Sequence, residues 1–262
     1  MDPLAEKYPN ISSYVYCADN PIKYIDIDGR DLVYFNSGGN EVRRVASSTE
    51  FKTYVDVNGK FTEAAMPNII KGFESTIYQK YDYNIAAQTF IFNSLSENNL
   101  PKTSSGLSLT GKRPSGLDPT LVKSIILEET GAGTINGKYG QNGNSDIMQA
   151  NVTTTSGQTD WSDSKIAFGL QKGESANPNQ SIYVGIRILY TKGLLSQALK
   201  NKDGKTSGYR VTWRGENWNS AVKRYNGGGN PDYLEEVLDY FHSAIAPNPN
   251  NYVVPPKPIK KD

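Results

Sequence analysis

Glu128 and Glu129 close an apolar run, Ile125-Ile126-Leu127-Glu128-Glu129-Thr130-Gly131, and a glycine-rich stretch then leads to Asp146-Ile147-Met148-Gln149. A carboxyl placed where a buried helix end meets a loop loses solvation. Desolvation disfavours the anion, so such a group can hold a proton and deliver it as a general acid. The competing reading is a solvated helix end, since charged side chains are mostly exposed. The chain offers few other catalysts. One cysteine, Cys17, allows no internal disulfide, and one histidine, His242, gives no ready route to a His-rich metal site or a Ser-His-Asp triad. Catalysis is therefore expected to rest on carboxylates and tyrosines, with no metal and no cofactor. His242 follows Tyr240 and Phe241 near an expected helix end, where a cation complements the macrodipole.

The elements that would position the acids follow from local signals. Asp118 suits an N-cap and Pro119 a first helical position, opening a mostly buried helix over Thr120 to Leu127. Further helices are expected over Tyr81 to Leu95, Ser181 to Leu199, Asn217 to Tyr225 and Asp232 to Ala244. In the second of these, Ile182, Val184, Ile186, Ile188, Leu189, Leu194 and Leu195 are the candidate core positions. Between Asp31 and Asn68 the texture is β. Leu32 to Phe35, Val42 to Val45 and Phe51 to Val57 alternate with Gly38-Gly39-Asn40 and Asn58-Gly59 turns, which are hairpin signals. Residues 98–116 hold Ser, Gly, Lys and Pro with little apolar content and read as a linker or long surface loop. The tail over 247–262 is proline-rich, expected to be extended and mobile.

At 262 residues the chain can bury a sizeable core, and two folded parts are expected. Lys plus Arg total 28 against 27 for Asp plus Glu, so no global field draws the protein to nucleic acid or an acidic membrane. The start, Met1-Asp2-Pro3-Leu4-Ala5-Glu6-Lys7, has neither the basic beginning nor the apolar centre of a signal peptide. No run reaches the ~18 apolar residues of a membrane helix. Export, if it occurs, is expected by another route or as part of a longer chain.

The first thirty residues are rich in tyrosine, proline and turn residues. Their Asp2-Pro3-Leu4, Tyr14-Val15-Tyr16, Asp19-Asn20-Pro21 and Asp26-Ile27-Asp28-Gly29 resemble the C-terminal end of the Rhs/YD-repeat core. That family runs Asp-Pro-Leu, Tyr-x-Tyr, Asn-Asn-Pro and Asp-Pro-Asp-Gly, so Asp19 and Ile27 are departures. The resemblance implies a remnant of a shell that encloses a C-terminal toxin and, in some members, cuts itself near the final motif. A remnant of this size is expected to be poorly ordered or to pack on its neighbour.

A second resemblance covers about half the chain. Ile126-Leu127-Glu128-Glu129-Thr130-Gly131, Asp146-Ile147-Met148-Gln149, Asn177-Pro178-Asn179-Gln180-Ser181-Ile182 and Ala221-Val222-Lys223-Arg224-Tyr225-Asn226-Gly227-Gly228, with Tyr233 beyond, resemble in order the lytic transglycosylases of the lysozyme superfamily. Those carry Glu-Ser-x, Gly-Leu-Met-Gln, Pro-x-x-Asn-Ile and Ala-x-x-Tyr-Asn-x-Gly. The implied fold class is α+β: a mainly α, lysozyme-like domain over 117–246, preceded by a β-hairpin module plus helix over 31–97, the linker 98–116 and the Rhs remnant 1–30.

The implied activity is cleavage of the β-1,4 bond between N-acetylmuramic acid and N-acetylglucosamine in peptidoglycan. Register makes Glu129 the acid and leaves Glu128 a bystander, since helix neighbours point about 100° apart. Met148 and Gln149 would floor and line the sugar cleft, Tyr225 would hydrogen-bond the reacting region, and Asn226 would bind substrate or hold the loop that places Tyr225. Asp146 stands where the family has glycine. It is a possible second carboxylate, alongside Asp163, or a cap of its own loop. Trp218 reads as core. The implied setting is an exported antibacterial effector without a signal peptide, acting in a target bacterium's periplasm, with an immunity protein and a secretion system or Rhs shell as partners. The alternatives are a non-catalytic glycan-binding module and a chitin- or chitosan-type glycosidase.

Overall fold

The computed structural model describes residues 31–47, 51–134, 146–150 and 177–246. The expected Rhs remnant, the glycine-rich stretch after Thr134, Asp163 and the proline-rich tail lie outside the described residues. The architecture is α+β.

Four strands open it: β1 (Asp31–Phe35), β2 (Glu41–Ala46), β3 (Lys52–Val57) and β4 (Lys60–Ala64), in the order β2-β1-β3-β4. The two hairpins form where the turn residues indicate. Asn36 accepts the Gly38 and Asn40 amides, and at the second turn Asn58 and Gly59 both take the positive φ that a tight hairpin requires. The hairpins join through β1 and β3, which run parallel with Tyr34 opposite Tyr54. Alternation sends Val33, Phe35, Val55 and Ala64 inward. On the outer face Tyr34 stacks on Tyr54 at 5.0 Å, with the Arg43 guanidinium 5.0 Å above the Tyr34 ring.

Helix α1 (Asp82–Asn93) covers the inner face of this sheet and also enters the helical core. Tyr83, Ala86 and Ala87 pack on the strands, whereas Ile85 and Phe92 join the larger core. The β1–β2 turn is tied to the helices as well: the Gly39 carbonyl accepts from Asn179 at 2.8 Å and Gln88 at 3.1 Å. The stretch 98–116 has no strand and only the end of a 3-10 turn at Glu97–Asn99, yet it is pinned to the body. Leu100 and Leu117 are buried, Arg113 donates to the Leu95 and Phe92 carbonyls, and the Ser115 carbonyl accepts from the Trp218 indole.

Helix α2 (Pro119–Thr130) is the buried axis. Asp118 accepts the Thr120 amide at 2.7 Å, Pro119 fills the first turn, and Gly131 ends the helix in the left-handed conformation that spares a Cβ clash. Leu121, Val122, Ile125, Ile126 and Leu127 are all buried, each contributing about 1.5–3 kcal/mol by leaving water.

Helix α3 (Pro178–Gly193) starts with a reciprocal Asn177–Gln180 capping box. The expected continuation to Leu199 is corrected: α3 stops at Gly193, and Leu194–Lys200 is strand β6, hairpinned to β7 (Thr206–Trp213). A Cβ on Gly193 would sit 2.1 Å from the Trp213 ring, so the missing side chain is what lets the returning strand close on the helix end. Helices α4 (Asn219–Tyr225) and α5 (Tyr233–His242) come next, and β8 (Ala244–Ile245) pairs with β5 (Ile69–Ile70). Trp218 is buried at the start of α4, and His242 is the exposed last residue of α5. Among the described residues no helix is long and apolar enough to cross a membrane.

Candidate active site

The turn 146–150 is fastened from three helices. From α2, the Thr130 hydroxyl donates to the Ile147 carbonyl at 2.9 Å. From α3, Ser181 Oγ accepts the Met148 amide at 2.9 Å and donates to Asp146 Oδ1 at 2.7 Å. From α4, Tyr225 Oη donates to the Met148 carbonyl at 2.8 Å. Met148 itself is sealed beneath α3, where a Cβ on Gly185 would lie 2.6 Å from its sulfur. Gln149, half-buried, has a φ of 51° and turns its amide back to the Asp146 carbonyl at 3.1 Å. Ala132 is likewise left-handed, with a φ of 56°. Non-glycine residues of this kind store strain and gather at functional sites.

Glu129 stands beside this turn in the last turn of α2, half-buried. Its Oε1 accepts a 2.6 Å hydrogen bond from Tyr233 Oη on α5. Burial, and then the Glu129 charge and hydrogen bond, push the Tyr233 phenol well above its usual value. Burial, followed by the Glu129 and Asp146 charges, does the same for Tyr225. Both phenols stay protonated at neutral pH, so Tyr233 can donate to Glu129. Glu128, also half-buried, lies close enough to α5 for its charge to help raise the phenols of Tyr233 and Tyr240.

The residues singled out from the sequence thus fall into distinct places. Glu129, Met148, Gln149 and Tyr225 come together. Tyr225 reaches the Met148 carbonyl, while the phenol bonded to Glu129 is that of Tyr233. Asn226 holds its own loop, its Oδ1 accepting the Gly228 amide at 2.9 Å. Asp146 is 2% exposed and caps its own turn, accepting the Ala150 amide at 2.8 Å besides Ser181. Sequence reasoning missed the roles of Tyr233, Thr130 and Ser181. Thr130 and Ser181 had a signal, since each is a small hydroxyl beside a motif, able to bond a neighbouring backbone.

A half-buried carboxyl with one oxygen fixed by a phenol, at the rim of a rigid turn, can donate a proton and take it back. Comparison with family models, with curated proteins and with solved structures gives no match to this chain. The functional reading therefore rests on the geometry and on the motifs.

Proposed function

We propose that this chain cleaves the glycan strands of peptidoglycan, with a lysozyme-like helical body and Glu129 as its general acid and base. The observation that carries the proposal is the 2.6 Å Tyr233–Glu129 hydrogen bond at the end of a buried helix. Glu129 gives its proton to the glycosidic oxygen as the bond to the anomeric carbon breaks and an oxocarbenium-like state develops. The muramoyl 6-hydroxyl then attacks that carbon and returns its proton to Glu129, leaving a 1,6-anhydro end.

Hydrolysis instead needs a second carboxylate ~5 to 9.5 Å from the first. Among the described residues, Asp146 is occupied with Ser181 and Ala150 in capping its turn, which favours the one-acid route of a lytic transglycosylase over that of a muramidase. On the same reading, the N-terminal resemblance makes the chain the toxin end of an Rhs-type antibacterial effector, exported into a rival's periplasm and neutralised in the producer by an immunity protein.

The test is release of soluble muropeptides from purified sacculi. Wild type is expected to release products lighter by one water than reducing-end muropeptides, and Glu129→Gln to lose activity by about 10²–10⁴-fold while remaining folded. Equal behaviour of the two proteins would leave only a glycan-binding module. Cleavage of chitin oligomers but not sacculi would reassign the substrate, and reducing ends would make the enzyme a hydrolase.

A further inference from the structure

Among the described residues two cations are buried, Lys123 and Arg187, and only Lys123 meets a carboxylate. Arg44 is held by Asp31 at 2.7 Å and Glu41 at 2.8 Å, and Lys123 by Asp82 at 2.7 Å. Arg187 on α3 is 6% exposed and has no carboxylate within ion-pair distance among the described residues. Its Nη1 donates to the Tyr183 carbonyl at 2.9 Å, and its guanidinium lies 3.4 Å from the centre of the Tyr183 ring. The carbonyl uses one of five donors, and neither group is an anion. Burial lowers Arg187 to about 10, which leaves it charged at neutral pH.

Arg187 and Tyr183 share one face of α3, four residues apart. Ser181 and Gly185, the two residues that meet Met148, each precede one of them by two positions, a rotation of about 200°. The guanidinium is therefore on the far side of α3 from the Glu129 centre, and its chemistry is independent of the role assigned to Glu129.

We propose that Arg187, backed by the Tyr183 ring, forms an oxyanion-binding site that takes a carboxylate. A buried charge is stable only when paired, and the planar fork of a guanidinium matches the two oxygens of a carboxylate. The ring covers one guanidinium face, so the anion approaches in the plane, through the remaining N–H groups.

The probe is acetate, titrated against chloride at fixed ionic strength into the full chain, with the melting temperature and acetate line width as readouts. Wild type is expected to show a saturable rise in melting temperature that chloride does not produce. Arg187→Met loses that rise, and Arg187→Lys, which keeps the charge but not the fork, binds acetate about tenfold or more weakly. If Arg187→Met fails to fold, Arg187→Lys carries the comparison. Inorganic phosphate also suits a guanidinium fork, and phosphate binding more tightly than acetate through Arg187 overturns the choice of a carboxylate. A muropeptide with free stem carboxylates that binds more tightly than acetate through Arg187 assigns the carboxylate to the wall strand, and equal affinity assigns it to a free small acid. No preference for acetate over chloride in wild type, or a response unchanged in both variants, overturns the proposal.

Discussion

The two ends of α2 hold charge in opposite ways. Near its start, Lys123 is 1% exposed and donates to Asp82 at 2.7 Å and to Gln79, both also buried. At its end, Glu129 is half-buried and meets a neutral phenol. The first site is closed on every side and ties α1 to α2, and nothing can enter without unfolding it. The second lies at a helix terminus beside a turn that α2, α3 and α4 brace, with its carboxyl partly open to solvent. Charge on α2 is therefore held in two ways, sealed as a fastening at Lys123 and left partly open at Glu129.

The largest effect should come from breaking the sealed end. Asp82→Ala removes the acceptor and strands the Lys123 ammonium, with an expected loss of about 3–5 kcal/mol in urea unfolding. Asp82→Asn keeps an acceptor and should lose clearly less. Titration adds a sign. Burial raises Asp82 from 3.8 to about 7, against the pull of Lys123, and its Oδ1 has no hydrogen-bond partner among the described residues. A raised value means the folded state binds the proton more tightly, so the contribution is complete below about pH 4 and is lost as pH rises through 7. The unfolding midpoint should fall between about pH 4 and pH 7 in wild type and fall less in Asp82→Asn. A flat wild-type profile would remove the contrast between the two ends.

At the open end, Tyr233→Phe should lower activity on sacculi by about 10- to 100-fold, the worth of a hydrogen bond to a charged group. The loss is expected in kcat with KM little changed, because the phenol holds the acid rather than the sugar. Unaltered kcat would make Tyr233 a packing residue and weaken the assignment of the centre.

The range of each interaction decides how much of the molecule is legible in its sequence. The Asp118-Pro119 start and the Asn58-Gly59 turn are settled within a few residues, and the sequence displays them; the Asn177-Gln180 cap is equally local, yet the expected start at Ser181 passes it by, the helix opening at Pro178. The end of α3 is not displayed: Leu194, Leu195 and Leu199 continue an apolar pattern, whereas the stop is set by the Trp213 ring closing on Gly193 from twenty positions away. The burial of Lys123 depends on Asp82, 41 residues earlier, which no local signal places against it. The β1–β3 parallel pairing has no local signature at all. At the site, Glu129 and the Met148 turn are visible as motifs. The identity of the phenol is not, because Tyr233 lies 104 residues from Glu129 and the motif points to Tyr225.

The smallest effect should sharpen the register of the acid. Glu128 and Glu129 are adjacent and both half-buried, yet the described hydrogen bond from α5 goes to Glu129, while Glu128 bears on Tyr233 and Tyr240 through its charge. Glu128→Gln removes that charge without touching the bonded carboxyl. Charges on partly exposed side chains contribute little, about 0–1 kcal/mol. Activity on sacculi should therefore stay within about fivefold of wild type, with the unfolding midpoint nearly unchanged. The decisive comparison is with Glu129→Gln under the same conditions. If Glu128→Gln is the silent variant, the acid is the residue that Tyr233 holds; if the two exchange roles, the hydrogen bond marks the bystander and the reaction centre moves one position toward Tyr240.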